Sequence, residues 1–292
     1  MNYSNQETVP HNWNVGDVIL DLYEVRPVIQ GLGALATQRN HHEGGFGRVY
    51  KVWHLGWNRE MAVKVAREQV FTTQAQKEVF TRECETWVDL GLHMHIAACH
   101  YVRDLGGVPR LFSEYAPAGT LQDWITSKRL YQGTVKDVLA RIFDVSIQFA
   151  WGLHYAHEHG VIHQDVKPLN ALMWDDETLK VSDFGLAGAR TKSGIETVGD
   201  IKQSILVSSG AMTPPYGSPE QKAGEKLGRG TDIWSWAVSV LQMFAGEITW
   251  ESGVVAPQAL ELYLENAVEI RGIPAMPNKL AQLLKGCFKQ QQ

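Results

Sequence analysis

The sequence changes character once, at Ala116-Pro117-Ala118-Gly119, and this break constrains the fold more than any other feature. Before it, runs rich in Val, Ile and Tyr at 18–29, 48–53, 61–66, 100–103 and 110–115 read as strands separated by turns. One helical pattern, 73–90, interrupts them, with Val79, Trp87 and Leu90 near helical spacing. After the break, helical patterns dominate: 121–128, 137–159, 231–245, 256–267 and 278–288. Two short strand signals, 171–174 and 179–182, flank Asp175-Asp176. The expected architecture is α+β. A polar tail over 1–15 precedes a small strand-rich lobe with one helix over 16–116, then a larger, mainly helical lobe over 117–292. No internal repeat is present.

Composition narrows the class. Of 292 residues, 44% are hydrophobic, enough for a sizeable core. Net charge is −5 and no long basic run occurs, which argues against nucleic acid or an anionic membrane surface as partner. No stretch approaches the roughly 18 apolar residues of a membrane span, and the polar N-terminal residues do not read as a signal peptide. Three scattered cysteines, Cys84, Cys99 and Cys287, make no disulfide framework, so a cytoplasmic setting is expected.

Three groups of residues carry chemistry. The cluster Gly44-Gly45-Phe46-Gly47 would let backbone N–H groups close over a polyphosphate, although an ordinary hairpin turn also uses such glycines. Lys64 lies mid-strand in Met61-Ala62-Val63-Lys64-Val65, where burial is costly unless an anion meets it. An edge lysine reaching out to water is the plainer reading. On the helix that follows, Glu83 is the best candidate partner for Lys64, with Glu78 and Glu85 as alternatives. The third group decides between these readings. His163-Gln164-Asp165-Val166-Lys167-Pro168-Leu169-Asn170 is followed, 13 residues after Asn170, by Asp183-Phe184-Gly185. In such a loop Asp165 can orient a hydroxyl and take its proton, Lys167 can neutralise a transferring phosphoryl group, and the Asn170 amide oxygen can ligate Mg²⁺. Asp183 offers a second hard oxygen.

At these residues the chain resembles the eukaryotic-type protein kinase catalytic domain, from about residue 17 onward. The resemblance implies a bilobal fold, ATP and Mg²⁺ as cofactors, and a protein substrate. It matches Lys64 to the strand lysine, Glu83 to its helix partner, Asp165 to the catalytic aspartate, and Asn170 and Asp183 to the metal ligands. Gly44, Gly45 and Gly47 fall in the phosphate loop. Val49, Ala62 and Leu172 would enclose adenine, and Glu114-Tyr115-Ala116 looks like the hinge that bonds it, with Ser113 at the gatekeeper place. Trp87, Cys99, His163 and Phe184 would form the regulatory spine. Ser218-Pro219-Glu220 and Asp232 match the end of the activation segment and the opening of the large helix. Lys167-Pro168 and Thr213 are similar to the serine/threonine branch, which makes Ser or Thr the expected acceptor.

Three departures accompany the resemblance. His42 stands where the first loop glycine belongs, and residues 30–41 look like an insertion at the tip of the first hairpin. Gln164 replaces an arginine that answers an activation-loop phosphate, so activity is expected without that phosphate. The chain ends at Gln292 about where the family places the arginine partner of Glu220, and a regulatory domain beyond Gln292 is expected. Two rival readings are a pseudokinase scaffold and a small-molecule phosphotransferase. Intact Lys64, Asp165, Asn170 and Asp183 weigh against the first, and Ser218-Pro219-Glu220 against the second. A zinc site at His154, His157 and His159 is the weaker reading of those histidines, and the tryptophans at 87, 151, 234 and 236 are expected to pack in the core.

Overall fold

The structure, a computed structural model, describes residues 9–30, 37–39, 41–43, 47–66, 74–184, 205–206, 212–266 and 272–289. The strands are β1 (Val18–Ile19), β2 (Tyr23–Arg26), β3 (Val28–Gln30), β4 (Thr37–Arg39), β5 (His42–Glu43), β6 (Gly47–His54) and β7 (Arg59–Ala66). Helix α1 (Gln74–Asp89) follows, then β8 (Cys99–Leu105) and β9 (Val108–Glu114). Helices α2 (Leu121–Thr126) and α3 (Val135–Glu158) lead to β10 (Ala171–Met173), β11 (Leu179–Val181) and β12 (Ile205–Leu206). The chain continues through α4 (Pro219–Ala223), β13 (Lys226–Leu227), α5 (Arg229–Ala245), α6 (Ala256–Asn266) and α7 (Asn278–Cys287). It divides into two compact units, one of Met1–Gly91 with Ala97–Ala116, the other of Leu92–Ile96 with Pro117–Gln292.

The first unit is an antiparallel sheet ordered β1-β2-β6-β7-β9-β8, with β5 paired to the start of β6. Alternation sorts its residues. Met61, Val63 and Val65 on β7 face an apolar cluster with Tyr23, Val25, Tyr50, Val52 and Phe112. Val49, Ala62, Lys64, Leu111 and Ser113 are cross-strand partners on the opposite face. Helix α1 buries Phe80, Cys84 and Trp87, the i, i+4, i+7 stripe of an amphipathic helix, and Leu90 just past its end continues it.

One expectation changes here. Within the segment read as a polar tail, Trp13 is 1% exposed and joins the core cluster. Its indole donates to the Pro10 carbonyl at 3.1 Å, and Tyr50 packs beside it at 5.4 Å between ring centroids. One buried indole outweighs many polar neighbours. A side chain at Gly106, in the β8–β9 turn, would meet the Val9 carbonyl at 2.5 Å, so glycine lets this N-terminal segment lie against the hairpin. The expected insertion also makes pairs of its own: β3 and β4 form an antiparallel ladder from Val28↔Arg39 to Gln30↔Thr37. Residues 31–36 between them lie outside the described residues.

The second unit is built on α3 and α5. Thr134 caps α3 and exchanges hydrogen bonds with Asp137, which holds the Asp137 carboxyl below its ordinary pKa. Gly152 on α3 has no room for a side chain, since a Cβ would meet the His95 carbonyl at 2.4 Å. From Thr231 to Phe244, α5 is buried except at Ile233 and Trp236, and its hydroxyls bond backbone carbonyls: Ser235 to Tyr216 at 2.8 Å and Ser239 to Ser235 at 2.8 Å. Among the described residues, no helix is long and apolar enough to cross a membrane.

Candidate active site

The site in the second unit is organised from a buried aspartate outward. Asp232, in the first turn of α5, is fully buried. Its Oδ2 accepts from His157 Nε2 at 2.7 Å and from the His163 backbone N–H at 2.8 Å, while Oδ1 accepts from the Gln164 N–H at 2.8 Å. A buried carboxylate needs such donors, and here two of the three are backbone N–H groups of the loop that precedes Asp165. The His163 ring continues the network. Nδ1 accepts from the Asp165 N–H at 3.3 Å and Nε2 donates to the Ser182 carbonyl at 2.7 Å, which assigns the ring proton to Nε2. Phe184 packs against that ring at 4.8 Å, and both side chains are fully buried.

Asp165 itself is a junction. Lys167 Nζ donates to its Oδ2 at 2.6 Å, the Thr213 hydroxyl donates to Oδ1 at 2.7 Å, and Lys167 Nζ also donates to the Thr213 hydroxyl at 2.6 Å. The triangle joins the loop to a residue 46 positions further on. Charge assistance accounts for its short contacts. Asn170 Nδ2 donates to the Asp165 carbonyl at 2.8 Å and to its Oδ2 at 3.3 Å. The Asn170 carbonyl accepts from the Ser182 N–H at 2.9 Å and the Ser182 hydroxyl at 3.1 Å, so Asn170 is tied to the residue just before Asp183. Asp183 has φ +67, in the left-handed region sparsely used by side-chain-bearing residues. Leu172 lies on β10 and makes a bridge to Thr120.

In the first unit, Val49 and Lys64 are direct β6–β7 partners, Ala62 pairs Lys51 and Ser113, and Gly47 pairs Ala66. Glu114 ends β9, where its N–H donates to the Ala98 carbonyl at 2.9 Å and its Oε2 accepts from the Ala98 N–H at 3.0 Å. Ala116 is the last residue of this unit. Trp87 and Cys99 are buried, and the Trp87 indole donates to the Ala97 carbonyl at 2.8 Å. Glu83 is on α1, but its side chain, like Gly44 and Gly45, lies outside the described residues.

Several partners were not expected from sequence. Glu220 accepts from the Thr231 hydroxyl at 2.7 Å, so its carboxylate is bonded within the described chain. His157 commits Nε2 to Asp232, and no cluster of three or more His, Cys, Asp or Glu able to hold a metal occurs among the described residues. Gln221 bonds the Gln164 carbonyl at 2.7 Å. The spacing Ser218-x-x-Gln221 is a capping-box pattern and was the available signal for that residue.

A sheet unit with one helix, followed by a helical unit carrying an Asp-x-Lys-x-x-Asn loop, is the architecture of a phosphoryl-transfer domain. The chain belongs to the protein kinase domain family, which matches residues 38–292. It is 30% identical over 241 residues to a probable serine/threonine-protein kinase of Clostridium acetobutylicum, covering 81% of this chain and 34% of that protein. It is 31% identical over 230 residues to the serine/threonine-protein kinase chk-1 of Caenorhabditis briggsae, covering 77% of this chain and 43% of the relative. It is 28% identical over 250 residues to CBL-interacting protein kinase 15 of Oryza sativa, covering 85% of this chain and 50% of the relative. The chain thus spans half or less of the length of these curated relatives. Protein kinases as a family use ATP and Mg²⁺ and act on proteins.

Proposed function

We propose that this chain is the catalytic part of a serine/threonine protein kinase, with residues 16–116 as its nucleotide-side lobe and 117–292 as its acceptor-side lobe. The triangle of Asp165, Lys167 and Thr213 carries this reading. A carboxylate that already holds one hydroxyl and one ammonium is equipped to orient an acceptor hydroxyl and receive its proton. Lys167 then offsets charge on the transferring group.

The donors at Asn170 and Asp183 are one amide and one carboxylate. So small and hard a set suits Mg²⁺, which keeps water and phosphate oxygens as its other ligands. Because Asn170 commits its Nδ2 to Asp165, the amide oxygen is the end left for the cation. ATP bound with Mg²⁺ supplies the phosphoryl group with part of its charge neutralised. Lys64, steered by Glu83, is assigned to the inner phosphates, and Gly44, Gly45 and Gly47 to the loop over them. Val49, Ala62 and Leu172 are assigned to the adenine faces, and the Glu114–Ala116 backbone to the adenine edge. A cavity of about 430 Å³ lined by Pro215, Tyr216, Gln122, Lys128 and Gln242 gives a polypeptide acceptor a place for a flanking side chain close in sequence to Thr213. The cytoplasm is the proposed compartment.

The test is phosphate transfer from Mg-ATP to casein or to the chain itself, followed by phosphoamino-acid analysis. Phosphoserine or phosphothreonine is expected. Asp165→Asn and Asp183→Asn should each lower turnover by at least about a hundredfold, the low end for a positioned acid–base group, while melting as the wild type does. Transfer at the wild-type rate in either variant would falsify the assignment. Gln164 offers no guanidinium to an activation-loop phosphate, so single Ala substitutions at Thr191, Ser193, Thr197, Ser204, Ser208 and Ser209 are expected to leave turnover intact.

A further inference from the structure

Gln221 is 5% exposed in the first turn of α4, and both ends of its side-chain amide are committed. Oε1 accepts from the Ser218 backbone N–H at 3.1 Å, and Nε2 donates to the Gln164 carbonyl at 2.7 Å. These partners fix the orientation of the amide, since a flip would set N–H against N–H and oxygen against oxygen. The second bond reaches the residue immediately before Asp165. Gln164 has φ +68, a conformation unfavourable for a residue with a side chain, so its backbone must be held from outside. Asp232 Oδ1 holds the N–H and Gln221 holds the carbonyl. The Gln164 side-chain oxygen adds nothing to this: it is buried and has no hydrogen-bond partner among the described residues.

We propose that Gln221 is a positioning residue for phosphoryl transfer, fixing the Gln164 carbonyl and through it the setting of Asp165. In this way Gln221 adds a neutral hydrogen bond to the Thr213 contacts that join the end of the activation segment to the catalytic loop, where a phosphate–arginine clamp has no arginine. The inference rests on the reading of Asp165 as the proton acceptor. Its rival is a purely local role, in which Gln221 does no more than complete the α4 capping box with Ser218.

Gln221→Glu separates the two. Glutamate is a normal capping-box residue and keeps the bond to the Ser218 N–H. At Gln164, however, it sets an oxygen against a carbonyl oxygen. Protonation of the introduced carboxyl restores a donor, and burial beside a carbonyl raises the pH at which this happens. The charged and titratable groups on the elements joined to this point are Asp232 and Arg229 on α5, His157 on α3, Glu220 and Lys222 on α4, Tyr216 just before it, and His163, Asp165 and Lys167 in the loop. All of them remain in the variant, so the ratio of variant to wild-type rate isolates the substitution.

With Mg-ATP and casein, Gln221→Glu is expected to fold, to keep the KM for ATP, and to lose about tenfold in kcat near pH 8. That loss corresponds to about 1.4 kcal/mol. The ratio should climb towards one as the pH is lowered to about 6. A ratio of one throughout, or a deficit that does not change with pH, overturns the proposal. Should this variant fail to fold, Gln221→Met, which removes both polar contacts at similar volume, takes its place. A fall in kcat at constant KM then supports the proposal; an unchanged kcat, or a second failure to fold, overturns it. An inactive wild type removes the kinase reading and this inference with it, whereas an active wild type with an indifferent variant removes only the inference.

Discussion

Each unit buries a full charge at 0% exposure, and the two do it by opposite means. In the helical unit, Asp232 accepts three N–H donors at 2.7–2.8 Å, two of them backbone groups of the catalytic loop. In the sheet unit, Arg110 on β9 lies over the Trp13 ring at 4.2 Å and donates Nη2 to the Pro10 and His11 carbonyls at 3.0 and 3.2 Å. Its Nε and Nη1 have no partner among the described residues, and burial pushes its pKa down to about 10. The anion is saturated with hydrogen bonds and therefore dictates loop geometry. The cation is only partly satisfied and sits among apolar neighbours that would pack as well around a hydrocarbon.

The comparison predicts unequal costs. Asp232→Ala leaves three donors buried without an acceptor and should cost about 4 kcal/mol in urea unfolding followed in the helical unit, together with loss of turnover. Trp13→Ala opens a cavity under the N-terminal segment and should cost about 3 kcal/mol, read as faster amide exchange in β8 and β9. Arg110→Met exchanges a poorly satisfied cation for apolar volume. It should shift stability by no more than about 1 kcal/mol, the lost cation–π contact offsetting the relieved desolvation. If Arg110→Met costs as much as Asp232→Ala, the contrast between the two burials is broken.

What could be read in advance follows the range of the interactions. The helices α3, α5, α6 and α7 carry their periodicity within their own residues, and their observed spans lie within a few residues of the expected ones. Asp165, Lys167 and Asn170 lie within six positions, so their grouping was visible as a string, and their hydrogen bonds to one another follow from that spacing. Long-range partners were not visible. Trp13 belongs to the core because β6 and β9 bring Tyr50 and Arg110 to it, and no local pattern in a polar segment announces that. Of the β3–β4 ladder, Val28 and Ile29 fall in the expected strand run, whereas the β4 residues Thr37–Arg39 fall in the expected insertion, where no apolar residue at a strand period announces the pairing. The Thr231 hydroxyl could not be assigned to Glu220 from sequence, since the only partner the family pattern suggests for that carboxylate is an arginine at about the position where this sequence stops. Gln221 hid behind its neighbours in Ser218-Pro219-Glu220, although its spacing from Ser218 was informative.

The smallest effect concerns charges that the two units avoid. His54 in the sheet unit and His93 in the helical unit each accept a backbone N–H at Nδ1, from Trp57 at 3.0 Å and from His95 at 3.2 Å. Each is stacked on an aromatic ring, Trp57 at 4.5 Å and Tyr155 at 4.3 Å. Burial lowers the pKa of both. For His93 the neighbouring His95 and His159 lower it further, whereas for His54 a backbone hydrogen bond works partly against the shift. The sign follows. Between the folded pKa and the ordinary value near 6.5, the unfolded chain binds more protons than the folded one, so stability is complete above that value and declines as pH falls through the folded pKa. Replacing either histidine by Phe keeps a stacking ring and removes the titration. His93→Phe should flatten the acid side of the melting profile in the helical unit only, and His54→Phe in the sheet unit only, as followed by amide exchange between about pH 5 and 7. If His93→Phe leaves the acid decline of the helical unit unchanged, protonation of His93 is not its cause.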